Sequence, residues 1–130
     1  MQEIRERLAK LYKLDKDIGI FLTPSGSDAE YIPVLLAQSM NPNKKITNIV
    51  TCNEEVGSGT LDAAGGRFFS TVEPITGYTE SYHKNGVKMS DIVEGIGEDT
   101  KTIAIDARKV SGEVVDPHAE ILEAIDDCKK

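Results

Sequence analysis

The sequence predicts an α/β fold of three layers, a mostly parallel sheet with helices on both faces. Three observations predict it. Short apolar runs rich in β-branched residues, at 46–52 and 103–105, alternate with stretches whose apolar residues recur at helical spacing. A glycine-serine turn, Ser25-Gly26-Ser27-Asp28, stands between one apolar run and one helical stretch, where a strand passes into a helix. The length of 130 residues suits one domain with a core that needs no staples.

The elements follow in order. Ile4, Leu8, Leu11 and Tyr12 share one face of a charged stretch, which predicts an amphipathic helix over 2–13. The run 18–23 reads as a short buried strand closed by Pro24. Ser27 with Glu30 three residues on matches a capping box, and apolar helical spacing continues to Met40. Pro33 either kinks that helix or marks its regular start near Ile32. Asn41-Pro42-Asn43 is a turn, and 46–52 a second strand. A glycine-rich tract with a helical turn at 61–64 comes next, then a strand at 68–76 and a turn at 84–86. Ser90 opens a short helix carrying Ile92, Val93 and Ile96. The clearest late strand lies within 101–107, and Asp116 caps a last helix that has Pro117 at its first position.

Composition narrows the function classes. With 39% hydrophobic and 28% charged residues, the chain is neither a disordered tail nor a membrane protein, and no apolar run nears a bilayer's thickness. The first residues mix charges and lack an apolar segment, so no signal peptide and a cytoplasmic location are expected. A net charge of −7 opposes the phosphate backbone, which argues against nucleic acid. Cys52 and Cys128, like His83 and His118, fall in no metal-ligand spacing, so no metal is expected. Cys52 sits in an apolar run and reads as a small core residue rather than half of a disulfide.

The turn carries the chemistry. Gly26 permits a tight bend and close approach of a ligand to the backbone. The amides of Ser27, Asp28 and Ala29 would converge at a helix start, where the dipole favours an anion, and the Ser27 hydroxyl adds a donor. The Asp28 carboxylate would have to face away. The plainer reading is a helix cap in a loop, which leaves the chain as an interaction or assembly domain.

Ser25-Gly26-Ser27-Asp28-Ala29-Glu30, after an apolar run, resembles the phosphate-cradling turn of the fold-type I pyridoxal-phosphate enzymes, the aspartate aminotransferase superfamily. The similarity extends in the same order to the flanking helices, to the strand 46–52 ending at Asn53-Glu54-Glu55, and to 102–107 followed by Val110-Ser111-Gly112-Glu113-Val114 and Asp116-Pro117. The resemblance implies the first half of a large domain. It implies that Ser25, Gly26, Ser27 and the amide of Asp28 bind the phosphate of pyridoxal 5′-phosphate. Glu54 or Glu55 would then border the ring, where the family usually has an aromatic residue or a histidine, and 108–111 would lie near the substrate end. Gly57-Ser58-Gly59-Thr60 either lines the same pocket or forms a surface loop.

No lysine stands in the family's serine-x-x-lysine context, and the family's Schiff-base lysine and ring-nitrogen aspartate fall after the region this chain resembles. Lys109 is the one tempting substitute, and a solvated or carboxylate-paired lysine is the expectation for it. No catalytic residue is therefore assigned. The function implied is a segment of an aminotransferase, lyase or decarboxylase. It would act on an amino-acid-like substrate and be completed by the remainder of the enzyme or a second subunit, in a homo-oligomer. The competing reading is a non-catalytic α/β module that holds a phosphate or carboxylate ligand at a helix start. No P-loop or dinucleotide glycine motif is present.

Overall fold

The computed structural model describes residues 1–70 and 88–129. The expected strand residues 71–76, His83 and the turn at 84–86 lie outside them.

The order is helix α1 (Gln2–Tyr12), α2 (Gly26–Ala29), α3 (Tyr31–Met40), strand β1 (Ile46–Thr51), a 3₁₀ turn (Asn53–Glu55), α4 (Thr60–Ala64), strand β2 (Thr100–Ile105) and α5 (His118–Asp127). Mixed α/β character and a parallel sheet are thus present. Among the described residues the sheet has two strands, β1 and β2, in register from Ile46 opposite Thr100 to Thr51 opposite Ile105.

Small and polar residues join α3 and α4 to one face of that sheet. Gln38 donates to the Ile96 carbonyl at 2.7 Å and to Thr100 Oγ1 at 3.1 Å. Asn48 donates to the Ala64 carbonyl at 3.3 Å, and Thr102 Oγ1 to the Leu61 carbonyl at 3.1 Å. Ala63 and Ala64 are fully buried there, and a Cβ on Gly65 would stand 2.7 Å from Thr102 Oγ1. The helix approaches as closely as it does because these side chains are absent or short. Residues two apart on a strand share a face; Lys101 and Thr47 therefore point the other way, toward α5, whose Ala124 is buried.

Several expectations are corrected. Residues 18–23 join no ladder and are not a strand; Arg5 Nε holds the Ile20 carbonyl at 3.0 Å in place of a neighbouring strand. Residues 68–70 are likewise outside any strand. The helix expected after Ser90 is a series of turns, because Ile92 bridges Arg67 and Ser90 has a left-handed φ of 65°. Cys52 is exposed with φ 56°, since it ends β1 at the turn and not within a core. Of the two readings of Pro33 the second holds: the regular helix α3 starts at Tyr31, one residue before Ile32, which leaves the proline in its first turn. No amide hydrogen is needed there.

Other elements match closely. α1 ends one residue before the expected boundary, at Tyr12, with Lys13 in the left-handed region. The last helix starts at His118, one residue later than expected, with Pro117 rather than Asp116 at the cap position, although the Asp116 carboxylate accepts the His118 amide at 3.0 Å.

Among the described residues, the buried hydrophobic ones are Val34, Ala63, Ala64, Ile105 and Ala124, while Leu11, Tyr12, Phe21, Met40, Val110 and Leu122 are exposed. α1 buries no residue at all.

Candidate functional site

The capping box is shifted by two residues from its expected place. Ser25, not Ser27, is the cap of α2: its Oγ accepts the Asp28 amide at 3.2 Å and donates to the Asp28 carboxylate at 2.6 Å. The carboxylate does not face away. It folds back onto the cap, because Ser25 has extended backbone angles that place its hydroxyl over the first turn. Two of the amides expected to greet a ligand are thereby engaged, Asp28 by Ser25 Oγ and Ala29 by the Ser25 carbonyl at 3.2 Å.

Ser27 is different. Among the described residues its hydroxyl has no hydrogen-bond partner. It lies beside Gly59, the residue that starts α4, where an added Cβ would stand 3.0 Å from Ser27 Oγ and 2.9 Å from Phe69 Cβ. Gly26 faces open space, with nothing within 4 Å of where a Cβ would project. Of the tract Gly57-Ser58-Gly59-Thr60, Gly59 packs against the turn at Ser27.

Two residues that sequence reasoning passed over complete this seat. Tyr31 donates from its hydroxyl to the Arg67 carbonyl at 2.7 Å, and its ring lies 6.0 Å from that of Phe69. Burial, with the Asp28 and Asp62 carboxylates nearby, pushes the Tyr31 phenol up to about 12. The signal for Tyr31 was its place four residues after Ser27, on the same side of a helical path; Phe69 gave none, since its approach to Gly59 is a tertiary contact.

Glu54 and Glu55 stand elsewhere, past the carboxyl end of β1, facing the chain that leaves β2. Asn53 Nδ2 donates to Asp106 Oδ1 at 3.2 Å, the Ala107 amide donates to Glu54 at 3.2 Å, and Arg108 pairs with Glu55. Hydrogen bonds from its own amide and from the Ala107 and Arg108 amides hold the Glu54 carboxyl below its usual range. Beyond them, residues 107–115 form a tight hairpin turning at Gly112, φ 84°, in which Lys109 Nζ pairs with Glu113 at 2.8 Å. Among the described residues, no hydrogen bond or ion pair joins this cluster to the Ser25–Asp28 turn.

The candidate residues thus form two separate groups. One offers a free hydroxyl and open backbone at Gly26–Ser27, beside a carboxylate. The other is an exposed polar latch, 53–55 with 106–108. Among the described residues no group of three or more metal-ligating side chains is found. Comparison with protein-family models, with curated proteins and with solved structures returns no match to this chain.

Proposed function

We propose that the chain supplies the phosphate-holding turn of a pyridoxal-phosphate-dependent enzyme of the aminotransferase, lyase or decarboxylase kind. The observation that supports this reading is the unpartnered Ser27 hydroxyl beside Gly59, with open space at Gly26. A hydroxyl and exposed backbone at the start of a helix suit a phosphate oxygen. In this reading Gly26 and Ser27 touch the phosphate, and Ser25 and Asp28 fix the shape of the turn. The Asp28 carboxylate opposes a bare anion, so the phosphate lies on the Ser27 side. Glu54, Glu55 and Arg108 border the outer part of the pocket at the strand ends.

When bound, pyridoxal phosphate supplies an electron-withdrawing ring that stabilises a carbanion at the substrate carbon. The Schiff-base lysine would come from the remainder of the enzyme or a second subunit, because Lys109 is committed to Glu113. The exposed apolar residues, from Tyr12 and Phe21 to Leu122, agree with such a completing partner, in a homo-oligomer and within a three-layer sheet larger than the two strands described. No helix among the described residues is long and apolar enough to cross a membrane, and a cytoplasmic setting belongs to the same proposal.

The test is a titration of the chain with pyridoxal 5′-phosphate, read by thermal shift. A ligand at 100 times its Kd stabilises the native state by about 2.7 kcal/mol. Stabilisation is expected in the parent chain and in Ser25→Ala, and is lost in Ser27→Ala. Equal stabilisation of parent and Ser27→Ala overturns the cradle. The Lys109–Glu113 pair favours one further reading, a non-catalytic module for a phosphate or carboxylate ligand. Inorganic phosphate as effective as the cofactor decides for it.

A further inference from the structure

At the opposite, amino-terminal end of the sheet, a groove of about 480 Å³ runs between the sheet face and the last turn of α5. Its lining is Lys45, Thr47, Ile49, Lys101, Ile125, Asp127, Cys128 and Lys129, so three lysines face one aspartate in a chain whose net charge is −7. Lys101 stands opposite Thr47 in the strand register, which puts Lys45 two residues along the same face. Lys45, just before β1, thus lies diagonal to Lys101, and both ammonium groups border the same groove. Lys129 is paired with Asp126 at 2.8 Å, whereas Lys45 and Lys101 have no ion pair among the described residues. Ile49 and Ile125 give the groove an apolar wall beside these two ammonium groups.

We propose that this groove binds an organic phosphate monoester with an apolar body. The charge fits: a monoester carries about −1.5 to −2 at neutral pH, as the unpaired Lys45 and Lys101 together would neutralise. The Thr47 hydroxyl adds a donor for a phosphate oxygen, and the alkyl part lies against Ile49 and Ile125. The volume falls in the range of small-molecule sites, about 300–1,000 Å³. This site shares no residue with the Gly26–Ser27 turn and stands without the pyridoxal-phosphate reading.

The two free cysteines provide the readout, because both are exposed and only Cys128 lines the groove. The full chain is alkylated with iodoacetamide in the presence of decyl phosphate, kept below its micelle concentration, and each thiol is followed by mass spectrometry. Decyl phosphate is expected to slow Cys128 several-fold and leave Cys52 unchanged. Lys45→Ala with Lys101→Ala, both exposed positions, is expected to raise the half-protecting concentration about tenfold, the loss of about 1.4 kcal/mol. Decanoate, with a single charge, protects more weakly. Protection by inorganic phosphate alone at the same concentration removes the apolar part of the proposal. Unchanged Cys128 reactivity, equal slowing of Cys52, or full protection in the lysine double variant overturns it.

Discussion

Around Gly59, Gly66 and Gly97 the chain is held by backbone that meets other atoms too closely for any side chain, whereas at 53–55 and 106–108 exposed polar side chains do the holding. The first region packs the segment between β1 and β2, up to the entry of β2; the second holds the loops that leave both strands. The first cannot be altered without moving backbone; the second can be loosened by a proton. A ligand site needs both properties near each other, a seat that keeps its shape and a rim that can adjust.

The largest expected effect falls on the packed side. A Cβ on Gly97 would overlap the Gly66 carbonyl and stand 2.9 Å from Ile92 Cγ2, while Gly66 itself has φ 69° and would meet Gly97 Cα at 2.7 Å. Gly97→Ala should cost about 3 kcal/mol, as overpacking against backbone does. Gly26→Ala should cost almost nothing, since its surroundings are open and it opens a helix. Urea midpoints decide this, and equal midpoints for the two variants break the contrast.

Tyr31 tests the rim of the seat. Tyr31→Phe removes the bond to the Arg67 carbonyl and should cost about 1 kcal/mol. It also changes the alkaline limb. The phenol is raised in the folded state from 10.0 to about 12, so the stability it confers is complete below pH 10 and is lost as pH rises toward 12. The parent chain should weaken over that window more steeply than Tyr31→Phe in urea titrations, and parallel curves overturn the assignment.

The same contrast explains what was legible in the sequence. Local signals reached the structure almost unchanged: the extent of α1, the Asp116 bond to the first amide of the last helix, the strands at 46–51 and 100–105. The turn at 25–28 was legible as a helix start, but Ser25 and Ser27 both fit a capping box, and only backbone angles separate them. The strand at 18–23 failed for a related reason. An apolar run names a residue's preference for burial and not its partner, and here Arg5 supplies the contact. The Ser27–Gly59–Phe69 seat and the latch join residues separated by 10 to 53 positions, with no periodic trace between them. Cys52 shows the cost of reading burial from neighbours: β1 is apolar, yet its last turn rotates the thiol outward.

The two serines give the next smaller effect. Ser25→Ala should lose about 1 kcal/mol, the usual value of a helix cap, and Ser27→Ala much less. Thermal unfolding without ligand checks the order. If Ser27→Ala is the more destabilising, the cap belongs to Ser27, and loss of cofactor binding in that variant would carry no information about a cradle.

The smallest effect tests the latch. Glu54 lies at the surface, and its carboxyl is lowered from 4.5 by amide hydrogen bonds, its own first and then those of Ala107 and Arg108. A depressed carboxyl stabilises the fold above its ordinary range, and that contribution disappears as pH falls through the lowered value. Glu98 shares the direction, because the Gly95 amide donates to it at 2.9 Å, so it serves as a control at the amino end of β2, opposite the latch. Glu54→Gln and Glu98→Gln should each flatten the acid limb of the urea midpoint below about pH 4.5, the ordinary value from which both carboxyls are lowered. Only Glu54→Gln should also speed alkylation of Cys52, two residues before it at the exposed end of β1. If Cys52 reacts at the parent rate in Glu54→Gln, the bond to Ala107 does not restrain the loop, and residues 53–55 are held by the Glu55–Arg108 pair instead.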